Sequence, residues 1–175
     1  MRQSEWEAVM GNNPSRFKGA DLPVEQVSWE DCHEFIGRLN ALTGLSFKLP
    51  TEAQWEYAAR GGSLSKGYKF SGSNDLEEVG WYGSNSGNYT HRVGEKQPNE
   101  LGLYEMSGNV YEWCEDWYGG YSVTSQRDPL GATSGSNRVY RGGGWISVAW
   151  YCRVSIRNSG VPGDRYNYLG FRLVC

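Results

Sequence analysis

From Ser28 to Gly44 the apolar residues Cys32, Phe35, Ile36, Leu39 and Leu42 recur at steps of three and four, which places them on one face of a helix. Ser28 reads as its N-cap, with Asp31 at the third helical position, and Gly44 supplies the stop. In LPTEAQWEYAARGG, Pro50 and Thr51 lead into Glu52, Gln54 sits where a capping-box partner belongs, and Gly61-Gly62 end the run. The pattern predicts a second helix from roughly Glu52 to Arg60. SEWEAVMG predicts a short helix near the start of the chain, ending at Gly11.

Beyond Gly61 neither period persists. Gly, Ser, Asn and Asp punctuate the chain at short intervals, and only brief runs such as RVYRGGGW and LGFRLVC read as strands. Long loops inside a domain are either functional or disordered, and the density of Trp and Tyr here favours order. There is no internal repeat, low-complexity tract or linker.

Composition sharpens this picture. The 175 residues suit one domain with its own core, spanning 1–175. With 24 Gly, 12 Tyr and 8 Trp, such a chain folds by packing large rings around tight turns. The 17 Lys and Arg are scattered among 20 Asp and Glu, so no basic stripe offers a surface to nucleic acid. No apolar run approaches the ~20 residues that would span a membrane, and no signal-peptide pattern opens the chain. Cys32, Cys114, Cys152 and Cys175 lack zinc-ligand spacing, and the even count allows either two disulfides or buried thiols. His33 and His91 are too few for a histidine-rich metal centre, no Ser/His/Asp order stands out, and GGSLSKG and RGGGW lack the lysine-serine ending of a phosphate loop.

One stretch resists both periods. VAWYCRVSIRNSGVPGDRYNYLGFR sets rigid anchors, Arg153, Arg157, Pro162, Arg165 and Leu169-Gly170-Phe171-Arg172, among filling with no helix or strand pattern. It reads as a surface.

Six blocks in order, MGNNPSRFKG, LPVEQVSWEDCHEFIGRLN, KLPTEAQWEYAARGG, GLYEMSGNVYEWCEDWYGG, RVYRGGGW and LGFRLV, resemble the formylglycine-generating-enzyme (sulfatase-modifying factor) family along nearly the whole chain. The resemblance implies an α+β, C-type-lectin-like fold: a small twisted antiparallel sheet, two main helices and long ordered loops. Members usually carry some further residues with a first strand ahead of QSEW. The family's enzymes use two cysteines, five residues apart, to hold copper and activate oxygen. The spacing from Arg157 to Leu169 places Ala149 and Val154 at those positions, with Cys152 between them. Paired soft thiolates are what Cu(I) selects, and alanine and valine supply none, so no catalytic residue is assigned.

The C-terminal segment, about 141–175, resembles more specifically the variable proteins of diversity-generating retroelements, several of which use this scaffold. In those systems adenines of a template are miscopied, so an Asn codon becomes Ile, Ser, Val, Tyr, Gly or Asp while codons without adenine stay fixed. Ile146, Ser147, Val148, Tyr151, Ile156, Ser159, Gly160, Val161, Asp164, Tyr166 and Tyr168 stand at such positions. Asn158 and Asn167 read as unmutated, Gly144 as an altered Ser, and Trp150 as derived from an A-G-G codon. On this reading the anchors hold a loop whose filling is a diversified binding surface, rich in the aromatic residues that anchor paratopes. EMSGNVYEW also resembles the family's calcium loop, which would make Glu105 and Glu112 carboxylate ligands and Gly108 and Val110 carbonyl ligands. No other cofactor is expected.

The expectation is therefore a non-catalytic bacterial or phage protein that recognises a protein or surface glycan at a cell surface or outside the cell, with any anchor lying beyond this chain. The alternatives are a metal-dependent, oxygenase-like modifying enzyme, and an inert structural domain packed on a neighbour.

Overall fold

The computed structural model describes residues 1–175. The predicted helices are present as α1 (Gln3–Met10), α2 (Trp29–Thr43) and α3 (Glu52–Ala59), followed by a single turn, α4 (Leu76–Val79). Their ends are built as the sequence suggests. Ser28 Oγ accepts from the Asp31 N–H at 3.0 Å while the Asp31 carboxylate accepts from the Ser28 N–H at 2.8 Å. Thr51 and Gln54 make the same reciprocal pair at 3.1 and 3.0 Å. Gly44 closes α2 at φ 72°, a conformation in which a side chain would be strained.

Four strands, β1 (Tyr111–Trp117), β2 (Arg138–Arg141), β3 (Arg157–Gly160) and β4 (Leu169–Phe171), form one sheet in the order β3-β2-β1-β4. The antiparallel expectation holds for β1–β2 and β2–β3, but β1 and β4 run parallel, so the sheet is mixed. A parallel neighbour needs a long crossover, and everything from the end of β1 to Tyr168 provides it. The whole candidate binding segment hangs on this crossover between β2 and β4.

Alternation along β1 divides the interior. Tyr111 and Trp113 join α1 and α2 in the larger core cluster with Trp6, Phe35, Leu169 and Phe171. There Trp6 stacks on Phe35 at 5.1 Å, and Phe171 meets Phe35 edge-on at 5.5 Å. Cys114 faces the other way, with Trp55 and Ala59 of α3, Met106, Val139 and Val154. The sheet is thus covered on both faces.

Its α3 side is held by ion pairs as well as apolar contact. Glu52 accepts from Arg141 at 2.6 Å and from Arg157 Nε at 2.8 Å, and Arg141 also pairs with Glu56. Glu112 accepts from the Trp55 indole at 2.7 Å and from both Nε and Nη2 of Arg172, at 2.6 and 2.8 Å. All four cysteines are free thiols, three of them buried, which settles the disulfide question left open by their spacing. No helix is long and apolar enough to cross a membrane.

Candidate ligand-binding face

β2 ends in a glycine turn that launches the segment. Gly142 and Gly143 sit at φ +100° and +77°, and a Cβ at Gly143 would lie 2.9 Å from Cys152 Cα. Trp145 follows, buried and T-stacked on Phe17 at 5.3 Å. Its indole N–H donates to the Asn167 carbonyl at 2.9 Å. A tight 3-10 turn over Ala149–Cys152 then directs neighbouring side chains in opposite directions. Cys152 packs inward with Phe70, Leu76 and Val79, while Trp150 and Tyr151 face solvent.

The fifteen residues expected on the binding surface fall into three groups. Ile146, Val148, Trp150, Tyr151, Val161 and Tyr166 are exposed, Val148 by 63% and Trp150 by 54%. Ile156, Asn158, Ser159, Asp164, Asn167 and Tyr168 are partly buried. Gly144, Ser147 and Gly160 are buried, contrary to a purely surface role. Ser147 turns inward because its N–H donates to the Gly144 carbonyl at 2.9 Å and its hydroxyl bonds the Gly144 N–H and the Tyr111 hydroxyl, at 3.1 and 3.2 Å. At Gly160 a Cβ would come within 3.3 Å of the rings of Trp113 and Tyr140.

Three of the exposed residues, Ile146, Val148 and Tyr151, border a shallow bowl of about 340 Å³. Ile146, Val148, Tyr151 and Tyr168 form its rim, with Ser147 beside them, and Tyr111 of β1 and Tyr140 of β2 contribute from the sheet. These two tyrosines were not foreseen from the sequence. They belong to adjacent strands and meet edge to face at 5.0 Å, with Tyr168 a further 5.9 Å from Tyr111. Tyr166 stacks flat on Tyr168 at 5.1 Å. Burial pushes the Tyr111 phenol up to about 12 and raises that of Tyr140 as well, so both remain neutral at ordinary pH. No charged side chain lines the bowl. Such a surface offers shape and apolar contact, with hydroxyls that can orient a neighbour.

The two positions assigned to copper thiolates carry only carbon. Ala149 is partly buried against the Cys152 cluster, and Val154 is buried in the α3-side cluster. Burial pushes the Cys152 thiol up to about 12, which keeps it protonated and inert. This donor set does not fit a soft metal.

Nor do the residues of the calcium-loop resemblance present a free oxygen cage. Glu112 is engaged by Arg172 and Trp55. Glu105, at φ 47°, turns its carboxylate to the N–H groups of Gly94 and Glu95, at 2.9 and 3.1 Å. The Gly108 N–H donates to the Gly142 carbonyl at 2.8 Å, so this turn braces the glycine turn after β2. A cation among these residues would have to displace a guanidinium, and in this arrangement they do not fit one.

Comparison with known proteins follows the same lines. The family model for the sulfatase-modifying factor enzyme 1-like domain matches residues 1–175. The chaperone protein LppX of Paenibacillus barcinonensis is 34% identical, over 87% of this chain and 69% of that protein. The formylglycine-generating enzyme of Streptomyces coelicolor is 32% identical over 98% of this chain, which spans only 58% of that enzyme's length. Among solved structures, Treponema denticola variable protein 1 superposes with a TM-score of 0.91 at 38% identity, covering 99% of this chain and 81% of that one. The likeness to a variable protein on this scaffold, expected from the C-terminal segment, is therefore found over essentially the whole fold. With a family model matched from the first residue to the last, the chain belongs to the sulfatase-modifying factor enzyme 1-like domain family.

Proposed function

We propose that this protein is a non-catalytic ligand-binding protein whose diversified C-terminal face recognises a protein or surface glycan at a bacterial cell surface or outside the cell. The observation that carries this reading is the grouping of Ile146, Val148, Trp150, Tyr151, Val161 and Tyr166, six exposed apolar or aromatic side chains, on one segment between buried Trp145 and buried Leu169. Exposed apolar groups concentrated in this way mark interaction surfaces, and aromatic rings give large contact area for little lost conformational freedom. The likeness to Treponema denticola variable protein 1 supports the same reading. The enzyme alternative draws support from the relatives that are formylglycine-generating enzymes, but the carbon side chains of Ala149 and Val154 stand against it.

The test is a displayed library in which the six exposed positions are randomised and selected against a purified protein such as lysozyme. Folded, target-specific clones are expected, with specificity following the six residues. A library whose members fail to fold, or which yields no binder while a fibronectin library run in parallel does, would overturn the proposal.

A further inference from the structure

A second concavity shares no residue with the tyrosine bowl. It is a cleft of about 790 Å³ between α3, the end of β1, the loop that follows β1 and the start of β3. Its size is that of cavities that accept small organic molecules, and its walls mix aromatic rings with a few polar groups. None of its lining residues belongs to the fifteen assigned to the diversified face.

Three carboxylates and three guanidiniums gather at this cleft, yet one carboxylate is left outside the ion pairs. Glu52, Glu56 and Asp116 all line it. Glu52 is held by Arg141 and Arg157, and Glu56 by Arg141 and Arg60. Asp116 is 4% exposed, and no lysine or arginine pairs with it. It accepts from the Glu52 N–H through Oδ2 at 2.7 Å. Its Oδ1 lies beside Gly131, where a Cβ would come within 2.6 Å of that oxygen. Arg138 of β2 is near enough to feel the charge of Asp116 but makes no ion pair with it, being clasped between the rings of Trp29 and Trp117 and donating to the Glu115 carbonyl at 2.7 Å. A buried carboxylate outside any ion pair is costly, and its burial holds the carboxyl above the usual range.

The aromatic walls suit a cationic ligand. Tyr57, Trp117 and Tyr121 line the cleft, and Tyr57 and Tyr121 are exposed. Tyr121 already stacks against one guanidinium, that of Arg157, at 4.1 Å. We propose that this cleft binds an organic cation, a primary ammonium or guanidinium on an apolar stem, with Asp116 as its counter-ion and Tyr57, Trp117 and Tyr121 against the stem. The cation can come from a free amine or from a basic side chain of a peptide.

Calorimetric titration with three probes tests this: agmatine, a short peptide bearing a single arginine, and N-butylurea as a neutral isostere. Binding of agmatine is expected if the source is a free amine, and of the peptide alone if it is a protein side chain. N-butylurea should bind at least tenfold more weakly than the cation. Asp116→Asn should weaken cation binding tenfold or more. Because that variant can fail to fold, Ser155→Trp, placed at an exposed edge of the cleft, provides a second block and should abolish binding while melting like the wild type. Ile146→Asn with Val148→Asn, which alters only the bowl, should leave it unchanged, so failure here is separable from failure of the diversified face. No binding of either cation at millimolar concentration, equal binding of N-butylurea, or unaltered binding by a folded Asp116→Asn or Ser155→Trp variant would overturn the proposal.

Discussion

The indole of Trp145 donates to the carbonyl of Asn167, so two residues 22 positions apart, near the two ends of the exposed segment, are clasped directly to one another. The crossover between β2 and β4 is therefore a closed loop with its own latch, and the residues between can change without releasing the frame. Trp145→Ala removes the latch and a buried ring, and should lower stability by roughly 3–5 kcal/mol. Exchanging Ile146, Val148, Trp150, Tyr151, Val161 and Tyr166 for Asn should cost within about 0.5 kcal/mol each. Thermal melting of both proteins measures the contrast. Collapse of the six-residue variant with a harmless Trp145→Ala would show that those side chains are core.

The latch also shows what could be read in the sequence. Helices α1 to α3 were legible because period and caps are local, written within a few residues of each terminus. β1 was hidden because its alternate positions are Glu112, Cys114 and Asp116, two of them acids, and acids in a short run look like loop. They tolerate burial only through Trp55, Arg172 and the Glu52 N–H, partners far along the chain. β3, RNSG, has no apolar residue, and its Gly160 is required by the ring of Trp113, again a distant partner. Without β1 there was no register to set Tyr111 beside Tyr140, so the sheet's share of the bowl stayed invisible while its rim was named. Ser147 reads as exposed for a related reason: nothing in GWIS announces the turn, closed by the Ser147 N–H on the Gly144 carbonyl, that draws it towards Tyr111.

Glu25 makes stability depend on pH. It is fully buried, its Oε2 has no hydrogen-bond partner, and burial pushes its carboxyl up to about 7 despite N–H donation from Phe17 to Oε1. The folded protein thus keeps a proton that the unfolded chain, near 4.5, gives up. Stability from this group is full below about 4.5 and is lost as pH rises to about 7, by ~3 kcal/mol at ~1.4 kcal/mol per unit. Glu25→Gln keeps an acceptor for the Phe17 N–H and carries no charge. It should melt above the wild type at pH 8 and level with it near pH 4.5. An unchanged difference between the two pH values would refute the assignment.

Glu112 and Arg172 form a partly buried pair that does in this protein what a cation would do in a calcium loop, neutralising the carboxylate beneath the Gly108 turn. Glu112→Gln should therefore cost about 3 kcal/mol, a fall in melting midpoint of roughly 6–12 °C for a chain of this size. EDTA should leave the wild-type midpoint where it is. A rise of several degrees with millimolar calcium would mean that the ion binds the folded form after all.

Copper and catalysis are tested at Ala149 and Val154. With carbon at both positions and the Cys152 thiol held protonated in an apolar cluster, no paired thiolate can form in this region. Competition with a chromophoric chelator should show no tight Cu(I) binding by the wild type. A cysteine-containing sulfatase peptide incubated aerobically with protein and copper should keep its mass. The double substitution Ala149→Cys, Val154→Cys should gain Cu(I) affinity if the two positions lie within bridging reach, because the thiolates would then be supplied. Formylglycine in the peptide exposed to the wild type would mean that the oxygen chemistry runs through other residues, and the protein would have to be counted among the enzymes of its family.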